Sequence, residues 1–302
     1  MKFIVTGATG MVGAAFVKAA ILEGHEVFAL VRKNSKNISK IPTSELVTLI
    51  EADLDDIDSI IINDDEYDAF YHFAWDYTTR EGRNNVEGQE HNVRLCLNAV
   101  LLAKRAKCKR FIGAGSQSEY GFVTGQIDEN TQLDPQMPYA MAKVSAYWLS
   151  KSLCKQLGIT HIWGRIFSVY GNNDHEGTLL LYAINSFLRG EKAFFSSGNQ
   201  MWNYLHEDDA GRMFLELVKK NVKSDVYFIA NRVSKPLREY LEILINNFDN
   251  NVSYSFDEDS TKEEYGINPN MEKTSLVLQY TPKVSFDDGI RKMIESFQLK
   301  NE

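Results

Sequence analysis

Three residues near the middle of the chain, Ser116, Tyr139 and Lys143, have side chains that could together move a proton at an alcohol or ketone carbon. Tyr139 and Lys143 are four residues apart, so they would lie on one face of a helix. A tyrosine hydroxyl ordinarily titrates near about 10, and an ammonium one turn away would stabilise the phenolate and lower that pKa. A serine hydroxyl beside them could orient a substrate oxygen. Hydride exchange with a nicotinamide requires this kind of proton-transfer apparatus.

The spacing alone is weak, because roughly one Tyr-x-x-x-Lys pair is expected by chance in a chain with this many tyrosines and lysines. The position of the pair adds weight. Pro138 stands at the preferred first position of a predicted helix, and Gly158 follows its last residue, Leu157. Ser116 ends a predicted strand that begins at Arg110. The triplet is therefore predicted to be catalytic.

A glycine-rich turn near the N-terminus is predicted to bind a dinucleotide. Lys2–Thr6 is typical of a buried parallel strand, and Met11–Leu22 has the pattern of a helix. Between them a glycine turn would let the backbone approach a pyrophosphate at the positive end of the helix dipole. A tight turn without a ligand is the alternative. The residues predicted to contact the cofactor here are Gly7, Thr9, Gly10, Met11, Val12 and Gly13.

The end of the second predicted strand, Glu26–Val31, bears on the choice of cofactor. Folds that bind NAD usually place a carboxylate there for the ribose hydroxyls, and no acid occupies Val31 or Arg32. Arg32, with Lys33 and Ser35 near it, could instead bind a 2′-phosphate. A solvated basic loop is the alternative. We expect NADP(H) in preference to NAD(H).

Composition narrows the class of protein. The chain has 302 residues, 44% hydrophobic and 25% charged, as in a soluble globular protein with one large α/β domain and a smaller lobe. Its net charge of −8 argues against a general nucleic-acid or membrane-surface binder. No apolar stretch is long enough for a membrane span, and no signal peptide is recognised, so we expect a cytoplasmic protein. Its six histidines show no metal-ligand spacing, and no metal is expected.

Three isolated cysteines and an acidic stretch complete this picture. Cys96, Cys108 and Cys154 form no C-x-x-C pair and are predicted to be buried in a reducing compartment. The acidic stretch 257–264 is predicted to be a solvated loop.

Alternating strand and helix patterns predict an α/β fold with a doubly wound parallel sheet of the Rossmann type. Ligands in such folds bind at the carboxyl ends of the strands. We predict a dinucleotide-binding domain over residues 1–170, to which residues 200–232 return. A smaller C-terminal α/β lobe, residues 171–302, is predicted to bind the substrate.

Ordered motifs along nearly the whole chain resemble the extended short-chain dehydrogenase/reductases that act on nucleotide sugars. The matching segments are Thr6–Gly13, Asp53-Leu54, His72-Phe73-Ala74, Asn92-Val93, Ser116 with Tyr120-Gly121, Tyr139–Lys143, Arg165–Gly171 and Tyr204–Ala210. The resemblance implies a nucleotide-sugar substrate and a homodimer. It implies that Asp53 and Leu54 flank the adenine, that Phe73 and Ala74 contact the cofactor, and that Ser116, Tyr139 and Lys143 are catalytic.

Departures from the family pattern favour one activity. The 4,6-dehydratases of this family place an Asp-Glu pair directly after the catalytic hydroxyl, where this chain has Gln117 and Ser118, so elimination of water is not expected. Many epimerases carry an arginine at the position of Trp202 and an asparagine at that of Ser168. The candidates for substrate contact are Trp75, Arg80, Arg83, Gln117, Ser118, Ser168 and Trp202, although a surface position is the safer interpretation of the two arginines.

Three hypotheses follow. The first is an NADPH-dependent reductase of a nucleotide-linked keto sugar, acting at C4 of a 4-keto-6-deoxy sugar. The second is an NAD-dependent nucleotide-sugar 4-epimerase. The third is a dinucleotide-sensing protein without catalysis, which Tyr139 and Lys143 argue against.

Overall fold

The computed structural model describes residues 1–35, 37–63, 66–175, 177–248, 252–257 and 265–301. Most of the acidic stretch, residues 258–264, lies outside the described residues. The strands are β1 Lys2–Thr6, β2 Glu26–Val31, β3 Val47–Glu51, β4 Ala69–His72, β5 Arg110–Ser116, β6 Thr160–Ile166, β7 Ser168–Tyr170, β8 Ala193–Ser196, β9 Met201–Trp202, β10 Tyr204–His206, β11 Val226–Ile229, β12 Lys235–Pro236 and β13 Tyr254–Asp257. The helices are α1 Met11–Leu22, α2 Val86–Arg105, α3 Pro138–Leu157, α4 Leu179–Leu188, α5 Glu207–Lys219, α6 Leu237–Asn246, α7 Glu272–Leu278 and α8 Phe286–Asn301.

Within the described residues, seven strands pair in parallel in the order β3-β2-β1-β4-β5-β6-β11. The chain fills one half of this sheet from β1 to β3 and then the other half from β4 outward. The order therefore reverses between β1 and β4, which is where such sheets open a crevice for a ligand. The predicted Rossmann-type α/β fold is confirmed.

The local signals that predicted the strands and helices around the site act as expected. β1 and β4 are almost wholly buried, as apolar strands covered on both faces of a sheet should be. α3 begins at Pro138, and Gly158 after it adopts the left-handed conformation with φ 71° that helix ends favour. α2 begins after Asn85, whose side chain accepts a hydrogen bond from the Gly88 amide.

Buried side chains form two hydrophobic clusters. The larger one lies between the parallel sheet and its flanking helices, and it also takes in Ile267, Met271 and Leu278 from the C-terminal part. The smaller one is built by α4, α6 and α8 around Tyr170 and Tyr204. Trp202 packs against both clusters. The predicted division into a cofactor domain and a substrate lobe stays a prediction.

The expectations for the cysteines, for membrane spans and for metal sites can also be compared with the structure. All three cysteines are buried and unpaired. Across the described part of the chain, no helix is long and apolar enough to cross a membrane. Nor does that part contain a group of three or more His, Cys, Asp or Glu side chains that could hold a metal ion. The homodimer and the cytoplasmic location stay predictions.

Candidate active site

A cavity of about 310 Å³ lies at the switch point of the sheet, outside the carboxyl ends of β1 to β4. The turn after β1, the end of β2, the segment after β3 and the segment after β4 all contribute to its walls. The predicted cofactor residues that line it are Gly7, Thr9, Gly10, Arg32, Asp53, Leu54, Phe73 and Ala74. The residues predicted from the sequence to bind the cofactor therefore include residues from all four of the strand ends that form this cavity.

Two glycines of the turn serve different needs. Gly7 has φ 71°, and a Cβ there would lie 2.4 Å from the Ala74 nitrogen, so the turn and the end of β4 require glycine. At Gly10, in contrast, the nearest protein atom to an added Cβ would be 3.4 Å away, and the residue is exposed to the cavity. The protein's own packing leaves this side open, as the close approach of a pyrophosphate to the backbone would need.

Met11, Val12 and Gly13, which were also predicted to contact the cofactor, open helix α1 rather than line the described cavity. Gly13 is buried against the Gly7 carbonyl, so it packs the helix onto the turn. The amides of a first helical turn have no partners within the helix, and they point toward the cavity side of the turn. An anion bound there would meet the positive end of the α1 dipole.

Arg32 lines the cavity at the end of β2 and is largely exposed. Its Nη1 donates to Oδ2 of Asp76 over 2.9 Å. Because Arg32 follows β2 and Asp76 follows β4, this ion pair spans the cavity. Sequence reasoning missed Asp76, since no local pattern marks an acid that meets a strand end two strands away.

The catalytic triplet is brought together beyond the cavity. Ser116 ends β5, and Tyr139 and Lys143 come from the first two turns of α3. Burial raises the pKa of Tyr139, while the charge of Arg83 and the neighbouring Ser116 hydroxyl act in the opposite direction without outweighing it. Arg83 lies with its guanidinium carbon 4.9 Å from the centre of the tyrosine ring.

Lys143 contacts groups other than those the sequence suggested. Its ammonium donates to the Ala114 carbonyl over 2.7 Å and lies 3.6 Å from the centre of the Trp75 ring. Burial lowers the pKa of Lys143 to about 7, while the charge of Glu119 opposes that shift. The expectation that Lys143 lowers the pKa of Tyr139 is therefore not what the ligand-free geometry shows, because Arg83 and Ser116 are the groups that do so.

Glu119 is the buried centre of the turn that carries Ser116. Its Oε1 accepts from the Ser116 amide over 2.7 Å and from the Trp163 indole over 3.1 Å, and its Oε2 accepts from Arg165 over 2.8 Å. The side chain is fully buried. It therefore points into the core and holds the backbone of the catalytic serine.

The remaining predicted substrate residues come from several separate segments of the chain. Ser118 donates its hydroxyl to Ser116 Oγ over 2.9 Å, and Gln117 stands beside it in the same short 3-10 helix, Gln117–Tyr120. Ser168 begins β7, and Trp202 ends β9 in the smaller sheet pairings. Arg80 is exposed on the segment after β4. Of the predicted substrate residues, Trp75 alone lines the described cavity and also contacts the triplet.

The fold and this site define a dinucleotide-dependent enzyme of the short-chain dehydrogenase/reductase type. Residues 3–230 match the model of the NAD dependent epimerase/dehydratase family, and the chain belongs to that family. Its members act on nucleotide sugars as dehydratases and epimerases.

The curated relatives extend over the whole chain at low identity. A dTDP-glucose 4,6-dehydratase of Mycobacterium tuberculosis is 21% identical over 99% of this chain and 93% of the relative. A CDP-abequose synthase of Salmonella muenchen is 24% identical over 97% of each chain.

Solved structures agree on the fold. The UDP-glucuronic acid 4-epimerase of Bacillus cereus, in complex with NAD, superposes with a TM-score of 0.82 at 21% identity, over 99% of this chain and 97% of the other. The UDP-glucose 4-epimerase of Thermotoga maritima, with UDP-glucose, gives 0.84 at 19% identity over all of both chains. At these identities the likeness establishes the fold alone.

Proposed function

We propose that this protein is an NADPH-dependent reductase of a nucleotide-linked keto sugar, acting at C4 of a 4-keto-6-deoxy sugar. The observation that carries the choice of reduction is Arg32, a cation at the adenosine side of the cavity, at a strand end without an acid. A 2′-phosphate there would gain charge-assisted hydrogen bonds from the guanidinium and meet Ser35 in the same wall. It would replace Asp76 as the partner of Arg32.

The side chains at the triplet fit the two transfers that reduction needs. NADPH, when bound, supplies the hydride that adds to the carbonyl carbon as the carbonyl π bond breaks. The Tyr139 hydroxyl gives its proton to the carbonyl oxygen, so the products are an alcohol and NADP⁺. Ser116, whose hydroxyl lies near Tyr139, orients that oxygen. The Lys143 ammonium would hold the cofactor's ribose and return a proton to Tyr139.

The turn after Ser116 argues against elimination of water. A dehydratase needs an acid and a base at this point, and the two positions carry Gln117 and Ser118. The next residue, Glu119, cannot replace them, because its carboxylate is buried against Arg165 and Trp163. Ser118 serves instead as a hydrogen-bond donor to Ser116.

The second candidate is an NAD-dependent nucleotide-sugar 4-epimerase. The similarity to solved 4-epimerases supports it, as does Asp76, whose carboxylate in the cavity could accept from a ribose hydroxyl. In an epimerase the same triplet would first take a hydride and proton from the sugar and then return them. No cofactor would be consumed.

The test begins with the cofactor that the purified protein carries and prefers. We expect NADPH to bind more tightly than NADH in a fluorescence titration, and Arg32→Ala to weaken NADPH binding by about 10- to 100-fold while NADH binding changes little. With nucleotide-linked 4-keto-6-deoxy sugars, NADPH absorbance should fall in step with formation of the alcohol. Firmly bound NAD, with product formation but no net cofactor turnover, would overturn the reductase in favour of the epimerase.

A further inference from the structure

Trp75 stands between the cofactor cavity and the catalytic triplet. It lines the cavity, and its ring meets Tyr139 edge to face with centroids 6.2 Å apart. The Lys143 ammonium lies 3.6 Å from the centre of the same ring, well inside the distance at which a cation is attracted to an aromatic face. A single side chain thus contacts both members of the helical pair.

The indole is itself held in one orientation. Its Nε1 donates to Oε1 of Gln89 over 2.9 Å, and Gln89 is only 1% exposed. The Gln89 amide group also donates to the carbonyls of Tyr77 and Gly82, over 3.0 and 3.1 Å. Because every polar atom of this amide is engaged with fixed partners, the indole is fixed relative to α2.

The segment that carries Trp75 has anchors of its own. Asn92 of α2 accepts from the Asp76 amide over 2.9 Å and donates to the Asp76 carbonyl over 3.0 Å. The Tyr77 ring packs where a Cβ on Gly88 would stand, 2.4 Å away. These contacts do not use the indole ring, so the segment keeps them when the ring is replaced.

We propose that Trp75 is the positioning residue for Lys143: its indole face holds the lysine ammonium at the catalytic end of the cofactor cavity, and Gln89 holds the indole. The catalytic meaning of this assignment rests on the proposed function, in which Lys143 binds the cofactor's ribose. The Ala114 carbonyl supplies a second contact, a hydrogen bond, so the ammonium is held by one hydrogen bond and one aromatic face.

The ring also favours the charged form of the lysine, against the burial that lowers its pKa. Lys143 is 4% exposed, so water contributes little to holding the charge. The titratable and charged groups that face it are Glu119 of the turn after β5, Cys96 of α2, Arg83 of the segment after β4, His72 of β4 and Tyr139 of its own helix. Glu119 and Cys96 act in the same direction as the ring, whereas Arg83 opposes it.

The experiment measures the titration of Lys143 in the ligand-free protein, which needs no substrate. Protein labelled with ¹³C in lysine is titrated by NMR, and the Lys143 signal is assigned from its loss in Lys143→Met. Trp75→Leu keeps an apolar cover but removes the aromatic face, so we expect the midpoint to fall by roughly half to one pH unit. Trp75→Phe keeps a ring and should hold the midpoint within about 0.3 pH units of the parent, on the same reasoning.

A matched control removes a ring from a remote cation. Phe194→Leu takes away the exposed ring that lies 5.2 Å from Lys192 Nζ, and it should leave the Lys143 midpoint unchanged. Trp75→Met replaces Trp75→Leu if the latter unfolds, with thermal unfolding as the check. A Lys143 midpoint in Trp75→Leu or Trp75→Met equal to that of the parent protein overturns the positioning role.

The experiments distinguish a failure of the proposed function from a failure of the proposed role of Trp75. If nucleotide-linked keto sugars are not reduced while the Lys143 midpoint moves as expected, the proposed function falls and the contact between Trp75 and Lys143 stands. If reduction is observed while the midpoint does not move, the proposed function stands and the role of Trp75 falls.

Discussion

Tyr139 is the residue on which proton transfer depends in the proposed reaction. Its hydroxyl lies near Ser116, and burial raises its pKa, so at neutral pH it keeps its proton and can donate it. Arg83 is the nearby cation that would stabilise the phenolate left behind, since its guanidinium carbon lies 4.9 Å from the ring centre.

Replacing Tyr139 with Phe should reduce the rate of ketone reduction by at least about 100-fold, because the ring stays in place while the proton donor is lost. NADPH binding should change by less than about threefold, because Tyr139 does not line the cofactor cavity and its hydroxyl could supply at most one hydrogen bond to the cofactor. Stopped-flow absorbance gives the rate, and a fluorescence titration gives the affinity.

Tyr147→Phe is the matched control for that substitution. Tyr147 lies two turns further along α3, and its hydroxyl accepts from Lys151 over 2.9 Å rather than from any group of the triplet. The control should keep the parent rate. An active Tyr139→Phe protein would remove Tyr139 from the reaction and return the non-catalytic hypothesis to consideration.

At the scale of the elements, β5, β6 and the short 3-10 helix Gln117–Tyr120 are joined by one buried ion pair. Glu119 and Arg165 meet over 2.8 Å, and Arg165 also donates to the Tyr120 hydroxyl over 2.6 Å. Both charged groups are nearly inaccessible to water, so neither is solvated when the other is removed.

Glu119→Ala should therefore lower the free energy of unfolding by about 3–5 kcal/mol, since it leaves the buried Arg165 charge without its counter-ion and the Ser116 amide without its acceptor. Urea unfolding followed by circular dichroism measures the change. Glu90→Ala is the comparison, because it breaks the exposed pair with Arg94 and should cost less than about 0.5 kcal/mol. A loss below about 1 kcal/mol for Glu119→Ala would show that the ion pair with Arg165 contributes little to the stability of the fold.

The elements that position the site could be predicted from the sequence, since local signals determine them. Pro138 and Gly158 mark the two ends of α3, and the glycine turn marks the passage from β1 to α1. The alternation of strands and helices predicts the parallel sheet, and the adjacent carboxyl ends of β1 and β2 bring Gly7 and Arg32 into one cavity.

The electrostatic partners within the site could not be predicted in the same way. Glu119 meets Arg165 across 46 residues of sequence, and Arg32 meets Asp76 across 44. The Trp75 ring reaches Lys143 from another strand end. No periodicity or spacing encodes such contacts, because they depend on how strand ends are aligned in the folded sheet.

For the whole molecule, buried histidines set how stability responds to acid. His161 is 2% exposed, with its Nε2 2.8 Å from Ser150 Oγ, and burial followed by the charge of Lys151 lowers its pKa to about 3. His72 is buried in the same way, 2.8 Å from Thr6 Oγ1, and burial lowers its pKa to about 3 as well. Glu207 acts in the opposite sense, since burial raises its pKa to about 7.

The sign of the histidine contribution follows from proton linkage. In the unfolded chain a histidine titrates near about 6.5, so between that pH and about 3 the unfolded chain binds a proton that the folded protein does not. The stability contributed by keeping His161 neutral is complete above about pH 6.5 and is lost progressively as the pH falls. Glu207 offsets part of this loss between about pH 7 and 4.5, because there the folded state holds the extra proton.

His161→Gln isolates one histidine from this sum. Between pH 8 and pH 5 the parent should lose up to about 2 kcal/mol more of its unfolding free energy than the variant does. The reason is that only the parent has, in its unfolded chain, a histidine at this position that binds a proton over this pH range. Urea unfolding at several pH values measures it, and His91→Gln is the control, because His91 is a surface residue beside Asp55. A parent–variant difference for His161→Gln that stays constant with pH would mean that His161 takes up its proton at the same pH in the folded and the unfolded protein. Below that pH both ring nitrogens would carry protons, so the Ser150 hydroxyl would have to accept the hydrogen bond between them.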